Sequence, residues 1–541
     1  MKSIITVFAL LITSVIGFGQ NEQFTKLDSF FTILEENDRF FGSVAVTHGG
    51  KVIYSKALGY ADLESKIANT TETKFRIGSI SKTFTATLIM KAVELGKINL
   101  DDTIDSYFPR IKNADMITIR HLLNHRSGIT NFTDRSYASW YTKPITQAAL
   151  LDTIISKGND FEPNDDYAYS NSNYVLLSFI LKETFNDSFA AILDEYIVNP
   201  LALRNTSYGD VINTSNNDAK SYNMKSNWEV EPEGDMSIPL GAGGIVSTPS
   251  DLCRFADALF GGQLISIESL KQMKPVGEET YGFAMYETEY SDKQGWGHGG
   301  NIDAFASNLI CFEEEDICLA LSCNGSNFST HDVELAVMGE LFGEDYALPS
   351  FDFVELTSEE LDQYLGTYVT DDLPIDMTFT KEGNTLFLEV TGQSPGEMQA
   401  EGNHKFSIIT HGVKIEFFPE EKKMHFEQQG YAFDLVLQET VVREESEEAE
   451  PSGIAIEIKN EDLDQYLGTY TSDELPIDLT ISMKENQLVG QGEGQPSFTL
   501  LAEGPHTYTN KDIGLVITFI PEEHKMQFVQ GGAAFEMVSK E

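Results

Sequence analysis

Hydrophobic and polar positions repeat with two different periods along this chain, and the place where one period drops out divides it. Between about residues 24 and 345 both are present. Phe41-Gly-Ser-Val-Ala-Val46 and Lys51-Val-Ile-Tyr-Ser55 flank a tight turn, which predicts a hairpin, while Lys82 to Gly96 carries apolar residues at helical spacing. Two late runs, Asn308-Leu-Ile-Cys-Phe312 and Ile317-Cys-Leu-Ala-Leu-Ser322, are expected to return beside that hairpin. The fold class that follows is α/β in the α+β sense: one antiparallel sheet flanked by helices.

Further on, the helical period disappears. Short alternating runs such as Met377-Thr-Phe-Thr380, Thr385-Leu-Phe-Leu-Glu-Val390 and Val413-Lys-Ile-Glu-Phe-Phe418 are separated by Gly, Pro, Asn and Lys-Glu turns, which predicts a small antiparallel barrel or sandwich. The pattern is written twice. Leu361-Asp-Gln-Tyr-Leu-Gly-Thr-Tyr368 returns as Leu463 to Tyr470, and Leu373-Pro-Ile-Asp376 as Leu475 to Asp478, both at an offset of 102. The offset holds for Glu401-Gly402 against Glu503-Gly504 and for Pro419-Glu420 against Pro521-Glu522, so one module is duplicated without internal insertions. The expected boundaries are 21–350 for the mixed domain, 356–438 for the first β-barrel repeat, 439–457 for an acidic linker and 458–541 for the second repeat. The linker expectation rests on Arg443-Glu-Glu-Ser-Glu-Glu-Ala-Glu-Pro-Ser-Gly453, charged and without apolar periodicity.

The first twenty residues follow a third pattern: a basic start at Lys2, an apolar run from Ile4 to Ile16 and a small-residue exit near Gly17 to Gln20. This is read as a secretory signal peptide, too short to span a bilayer, so an exported protein is expected, periplasmic or secreted, with no membrane insertion. Charge narrows the partners. With 85 acidic against 37 basic residues, a formal net charge of −48, the surface repels phosphate backbones and anionic headgroups, and nucleic acid is excluded as a partner. The length of 541 residues itself favours about two to four domains. The sequence carries no signal for an oligomeric state. The four cysteines, Cys253, Cys311, Cys318 and Cys323, have no zinc spacing and are expected to be buried free thiols. The alternative is one disulfide between Cys311 and Cys318 across a hairpin.

Three short motifs carry candidate chemistry. Gly78 leads into a helix starting near Ser79, and the i, i+3 spacing puts Ser79 and Lys82 on one face. A serine hydroxyl needs a base, and a lysine one turn away serves if burial lowers its pKa. Against this stands a plain N-cap with a solvated lysine, although no other S-x-x-K occurs in the chain. Tyr169-Ser170-Asn171 precedes an apolar helix-like run and could aim a phenol and an amide into one cavity, the phenol relaying a proton if the lysine ammonium lowers its pKa; a capped helix start with a half-buried tyrosine is the alternative. Gly297-His298-Gly299-Gly300-Asn301 could let a substrate lie against an edge strand with a backbone N–H facing the acyl oxygen. His48-Gly49-Gly50 has the same tripeptide at a simple turn, so this motif is weak alone.

In this order, S-x-x-K, Y-x-N and H-x-G resemble the penicillin-recognising serine hydrolases: class C β-lactamases, D-Ala-D-Ala carboxypeptidases, D-aminopeptidases and family VIII carboxylesterases. His121-Leu-Leu-Asn-His125-Arg-Ser-Gly128-Ile129 and Gly241-Ala-Gly-Gly-Ile-Val-Ser-Thr-Pro-Ser-Asp251-Leu252 are similar to two further segments of that family, and the resemblance covers roughly 35 to 340. It implies a β-lactamase/transpeptidase-like domain in which Ser79 attacks an acyl carbon, Lys82 and Tyr169 share the proton, and an acyl-enzyme forms. Asn171 would bind a substrate amide, His298 would tune the nearby charges or hydrogen-bond the ligand, and the N–H groups of Ser79 and of Asn301, beside Gly300, would form the oxyanion hole. His-Gly-Gly in place of Lys-Thr-Gly removes a permanent cation and weakens the case for a β-lactam or peptide carboxylate. His121 and His125, at i, i+4, are expected to be structural and not metal ligands. No cofactor is implied, and the partner is a small-molecule or short-peptide substrate: most of all a D-aminopeptidase- or carboxypeptidase-like peptide or an ester, with a β-lactam second and a non-catalytic binding role third. The β-modules, lipocalin-like in pattern, are expected to be spacers or cleft-shaping elements above ligand binders.

Overall fold

The computed structural model describes residues 24–438 and 463–540, apart from 135, 278–279, 371–375, 391–394, 429–430, 473–474, 485–486, 493–497, 505, 511–514, 522–524 and 531–532. The signal-peptide and linker expectations lie outside the described residues. Two compact units are present, Met1–Phe351 and Asp352–Glu541.

In the first unit an antiparallel sheet is built from the two ends of the segment. Strands β1 (Phe40–His48) and β2 (Lys51–Leu58) form the early hairpin; β3 (Tyr286–Tyr290), β4 (Lys293–Ile302), β5 (Phe305–Phe312) and β6 (Ile317–Ser326) follow much later. The order across the sheet is β3-β4-β5-β6-β1-β2. The late runs do return to the early hairpin, with Val44 opposite Leu321 and Val46 opposite Leu319. Both faces are covered, which is why β1 is buried at every position but His48. Val44 and Val46 pack on one side with Phe30 and Phe31 of helix α1 (Thr25–Glu36) and Val333 and Val337 of the last helix of the unit, Thr330–Phe342. Ala45 and Ala320 face the other side and a larger core.

That larger core surrounds α2 (Ser81–Glu94), where Phe84, Leu88, Ile89 and Met90 are all buried, and α3 (Asn171–Phe185), buried from Ser172 to Leu181. A helix buried on nearly every side sits at the centre of a domain and presents its first turn at a fixed point. Here that turn carries Lys82, with Ser79 on the short turn just before it.

The cysteine expectation needs correcting. Cys253 and Cys323 are buried free thiols, but Cys311 and Cys318 form a disulfide. They are directly opposed in the β5–β6 ladder with their Cα atoms 4.1 Å apart, a separation set by the tight acidic turn between the strands.

In the second unit the first repeat is a closed barrel of eight strands, from Gly366–Val369 to Tyr431–Leu437. Its inward positions are Tyr368, Phe379, Phe406 and Phe417, with Tyr364 from the preceding turn packed on Phe406 and Phe417. The second repeat has the same strand order in a nine-stranded sheet. The strand matching Gly396–Gly402 is there interrupted at Leu500, whose N–H still reaches the Leu488 carbonyl at 2.9 Å. Met398 and Leu386 are the corresponding pair in the first copy. Among the described residues no helix is long and apolar enough to cross a membrane.

Candidate active site

The nucleophile candidate stands on a single tight turn. Gly78–Ile80 forms a short 3-10 turn that runs straight into α2, with Gly78 at φ +50. This left-handed backbone is one reason for glycine; the other is space. A Cβ on Gly78 would lie 2.7 Å from the Asn301 nitrogen, and one on Gly300 would lie 2.0 Å from the Ile77 carbonyl oxygen and 2.9 Å from the Ser79 nitrogen. Two backbones therefore meet with nothing between them, and the Ser79 turn seats against β4. Gly300 thus admits the nucleophile turn to the strand. The strand is free there, because β3 pairs with β4 only from Lys293 to Gly297.

Lys82 is fully buried, at 0 % exposure. Its Nζ lies 2.9 Å from Ser79 Oγ, 2.7 Å from Asn171 Oδ1 and 2.8 Å from the Ala242 carbonyl oxygen. Burial holds its pKa well below the ordinary lysine value. In its neutral form the amine has two N–H donors and one lone pair. The Asn171 and Ala242 oxygens only accept, so they take both donors and leave the lone pair for the Ser79 hydroxyl.

Tyr169 completes this corner, its ring centroid 4.9 Å from Lys82 Nζ. Burial pushes its phenol up, and a hydrogen bond with Ser79 offsets this only in part. The condition raised from sequence, a phenol lowered by a lysine ammonium, is not met: Tyr169 is a phenol and a proton donor. Asn171 lies beside Lys82 on the cleft wall. Its Oδ1 is held by Lys82 and its Nδ2 donates to Thr133 Oγ1 at 2.9 Å, so the amide orients Lys82.

His298, on β4, is buried, and desolvation with the nearby Lys82 charge pushes its pKa down to about 3. It is a neutral imidazole. The two histidines of the Leu-Leu segment separate: His121 caps the short helix Ile119–Leu123 through Thr118, while His125 lies beyond the helix end, its ring 4.4 Å from that of Tyr169. The i, i+4 spacing does not bring them to one face, since the helix has stopped.

In front of Ser79 lies a cleft of about 430 Å³ lined by Phe132, Tyr137, Tyr141, Asn171, Glu231 and Asn301 among others. Asp303 also borders it but is paired with Arg76 at 2.8 Å. Glu231 is held by neutral groups, the Tyr141 hydroxyl at 3.4 Å and Asn223 Nδ2 at 2.5 Å.

Sequence reasoning missed Thr133, the Ala242 carbonyl and Tyr281, and gave His125 only a structural place. A signal existed for two of them, since Ala242 and His125 lie in the two additional segments singled out by resemblance.

The unit that holds this site is similar to known proteins. Residues 30–339, more than half of the chain, match the family model described as Beta-lactamase. Penicillin-binding protein 4* of Bacillus subtilis (strain 168) is 28% identical over 422 residues, 72% of this chain and 93% of that protein. Teichoic acid D-alanine hydrolase of Staphylococcus aureus (strain MRSA252) is 29% identical over 274 residues, 50% of this chain and 65% of that protein. The crystal structure of D-amino acid amidase from Ochrobactrum anthropi SV3 complexed with D-phenylalanine superposes with a TM-score of 0.51 at 27% identity, over 58% of this chain and 98% of that one. A β-lactamase/transpeptidase-like fold, a buried lysine beside a serine, and a family match over most of the first unit lead to one conclusion: this chain belongs to the beta-lactamase family and is a serine hydrolase.

Proposed function

We propose that this is an exported serine hydrolase that cleaves a small amide or ester through an acyl-enzyme on Ser79, with a D-configured amino-acyl group as its preferred acyl part. The observation that carries the reading is the three-way environment of Lys82 Nζ. Lys82 takes the Ser79 proton as Oγ attacks the acyl carbon. The Ser79 and Asn301 N–H groups receive the oxyanion, and Tyr169 protonates the leaving group. Water then attacks the acyl-enzyme by the reverse traffic: the Tyr169 phenolate takes its proton, and the Lys82 ammonium returns one to Ser79 Oγ as it leaves.

The cleft supports the substrate class. Glu231 among Tyr137, Tyr141 and Phe132 suits an ammonium beside an apolar side chain. A neutral His298 offers no cation to a carboxylate, which favours an amine-bearing amide or ester over a β-lactam. Relatives named for D-alanine and D-amino acid hydrolysis lie in the same direction. The β-modules act as spacers or cleft-shaping elements, in keeping with aromatic side chains filling the first barrel.

Initial rates of wild type and Ser79→Ala on a short-chain p-nitrophenyl ester, D-alanine p-nitroanilide and a chromogenic cephalosporin test the proposal. The expected result is turnover of the first two by wild type only. Fast cephalosporin turnover would make it a β-lactamase, and inertness of both proteins on all three would support a binding role.

A further inference from the structure

Tyr281 has no task in the reaction just described, yet it joins two of the site's walls. Its hydroxyl lies 3.2 Å from His125 Nε2 and 3.2 Å from His298 Nε2. The protons along this chain can be placed from its two ends. At one end the Ser170 N–H points at His125 Nδ1 at 3.2 Å, and Asn173 Nδ2 reaches the same atom at 3.2 Å. A backbone N–H only donates, so Nδ1 of His125 accepts. The Asn173 amide is oriented in turn by the Ser127 hydroxyl, 2.7 Å from its Oδ1.

At the other end His298 Nδ1 lies 2.5 Å from the Gly299 carbonyl oxygen. A carbonyl only accepts, so this nitrogen carries the proton. Burial above all holds both imidazoles in the neutral form, with one N–H each. A single arrangement then satisfies every contact of the two imidazoles. His125 Nε2–H donates to Tyr281 Oη, the Tyr281 hydroxyl donates to His298 Nε2, and His298 Nδ1–H donates to Gly299. The adjacent phenol of Tyr174 donates its own proton to the Leu123 carbonyl at 2.7 Å and offers Tyr281 a second acceptor, but a Tyr281 proton given there would leave His298 Nε2 unmatched.

We propose that Tyr281 is a positioning residue: held by His125, it donates to His298 Nε2 and so fixes the ring whose Nδ1–H grips Gly299, immediately before Gly300 and Asn301 meet the Ser79 turn. The chain of bonds ties Ser170, between the proton-handling Tyr169 and Lys82-orienting Asn171, to the strand that supplies the oxyanion donor. Only a hydroxyl can accept from one imidazole and donate to the other. Phenylalanine fills the same space and leaves a buried donor and a buried acceptor unmatched, each an unfavourable state. This inference rests on Ser79 being the nucleophile, but half of its test needs no turnover.

The experiment is 15N NMR of the histidine-labelled full chain, wild type and Tyr281→Phe, with steady-state kinetics on the substrate the wild type prefers. In the wild type at pH 7, His125 is expected as the neutral Nε2–H tautomer and His298 as the neutral Nδ1–H tautomer. In Tyr281→Phe the His298 Nε2 resonance moves to that of an imine nitrogen without a hydrogen bond, and kcat falls about 10- to 100-fold while KM changes less than about 3-fold. The reverse tautomers or a charged imidazole in the wild type would overturn the proton arrangement. An unchanged kcat in Tyr281→Phe would reduce the tyrosine to packing. If that variant does not fold, the wild-type spectrum still decides. Loss of turnover in Tyr281→Phe with no effect of Ser79→Ala would mean instead that the nucleophile is wrongly placed.

Discussion

The interior of the first unit and the interior of the first barrel are built on opposite principles. Around α2 and α3 the buried set includes Lys82, His125, Ser172, Asn173, Ser178 and His298, while the barrel encloses Tyr368, Phe379, Phe406, Phe417, Met377 and Met424 with Ser407 among its few buried polar residues. Burying a lysine or two imidazoles costs stability unless each proton has a partner. The barrel bears no such cost and gains mostly from aromatic burial. The difference locates the chemistry. Polar groups are retained inside a protein where they perform a task, and here they gather behind one serine.

The contrast can be broken most severely at Lys82. Lys82→Met should lower acylation about 10²- to 10⁴-fold by removing the base. It should also stabilise the protein. With the folded pKa below the unfolded value, the unfolded chain binds more protons between the two, so stability rises with pH across that window and is penalised below it. An apolar side chain removes the penalty, and a gain of about 0.5–2 kcal/mol near neutral pH is expected in denaturant unfolding. For the same reason the wild-type kcat/KM should fall as pH drops through the lowered Lys82 pKa, and that acid limb should be lost in the variant.

A smaller loss is expected at the backbone contact. Gly300→Ala places a methyl carbon against the Ile77 carbonyl and should cost about 10²-fold in kcat by displacing the Ser79 turn from the oxyanion donors, with KM less affected. In the barrel the expectation reverses. Phe417→Ala, which removes a ring packed on Tyr364, Tyr368, Phe379 and Phe406, should destabilise the second unit by about 3–5 kcal/mol and leave Ser79 turnover within about 2-fold. The mildest change is removal of residues from about 440 onward, after which acylation of Ser79 should remain measurable. A truncated protein that folds but no longer acylates would place the second repeat in the site.

What the sequence revealed follows the same division. The S-x-x-K spacing is local, so one helical turn fixes Ser79 against Lys82 whatever surrounds them. The hairpin at Gly49-Gly50 and the duplicated β-pattern are local too, set by turn chemistry and by period. What escaped is carried by long-range contact or by the main chain. Tyr281 meets His125 across 156 residues, and no spacing records it. The Ala242 carbonyl acts through an atom every residue has. The pKa of Tyr169 turns on burial, which the order of letters does not give. The Cys311–Cys318 bond depended on the register of one hairpin, where a slip of one residue would have separated the thiols.

The central claim, that Ser79 is the nucleophile and Lys82 its base, is tested most directly by covalent labelling. The full chain would be treated with a fluorophosphonate and its adduct mapped by peptide mass spectrometry. The account predicts one adduct on Ser79, absent in Ser79→Ala and formed at least about 10²-fold more slowly in Lys82→Met. An adduct on another serine, or equal labelling rates in wild type and Lys82→Met, would contradict it.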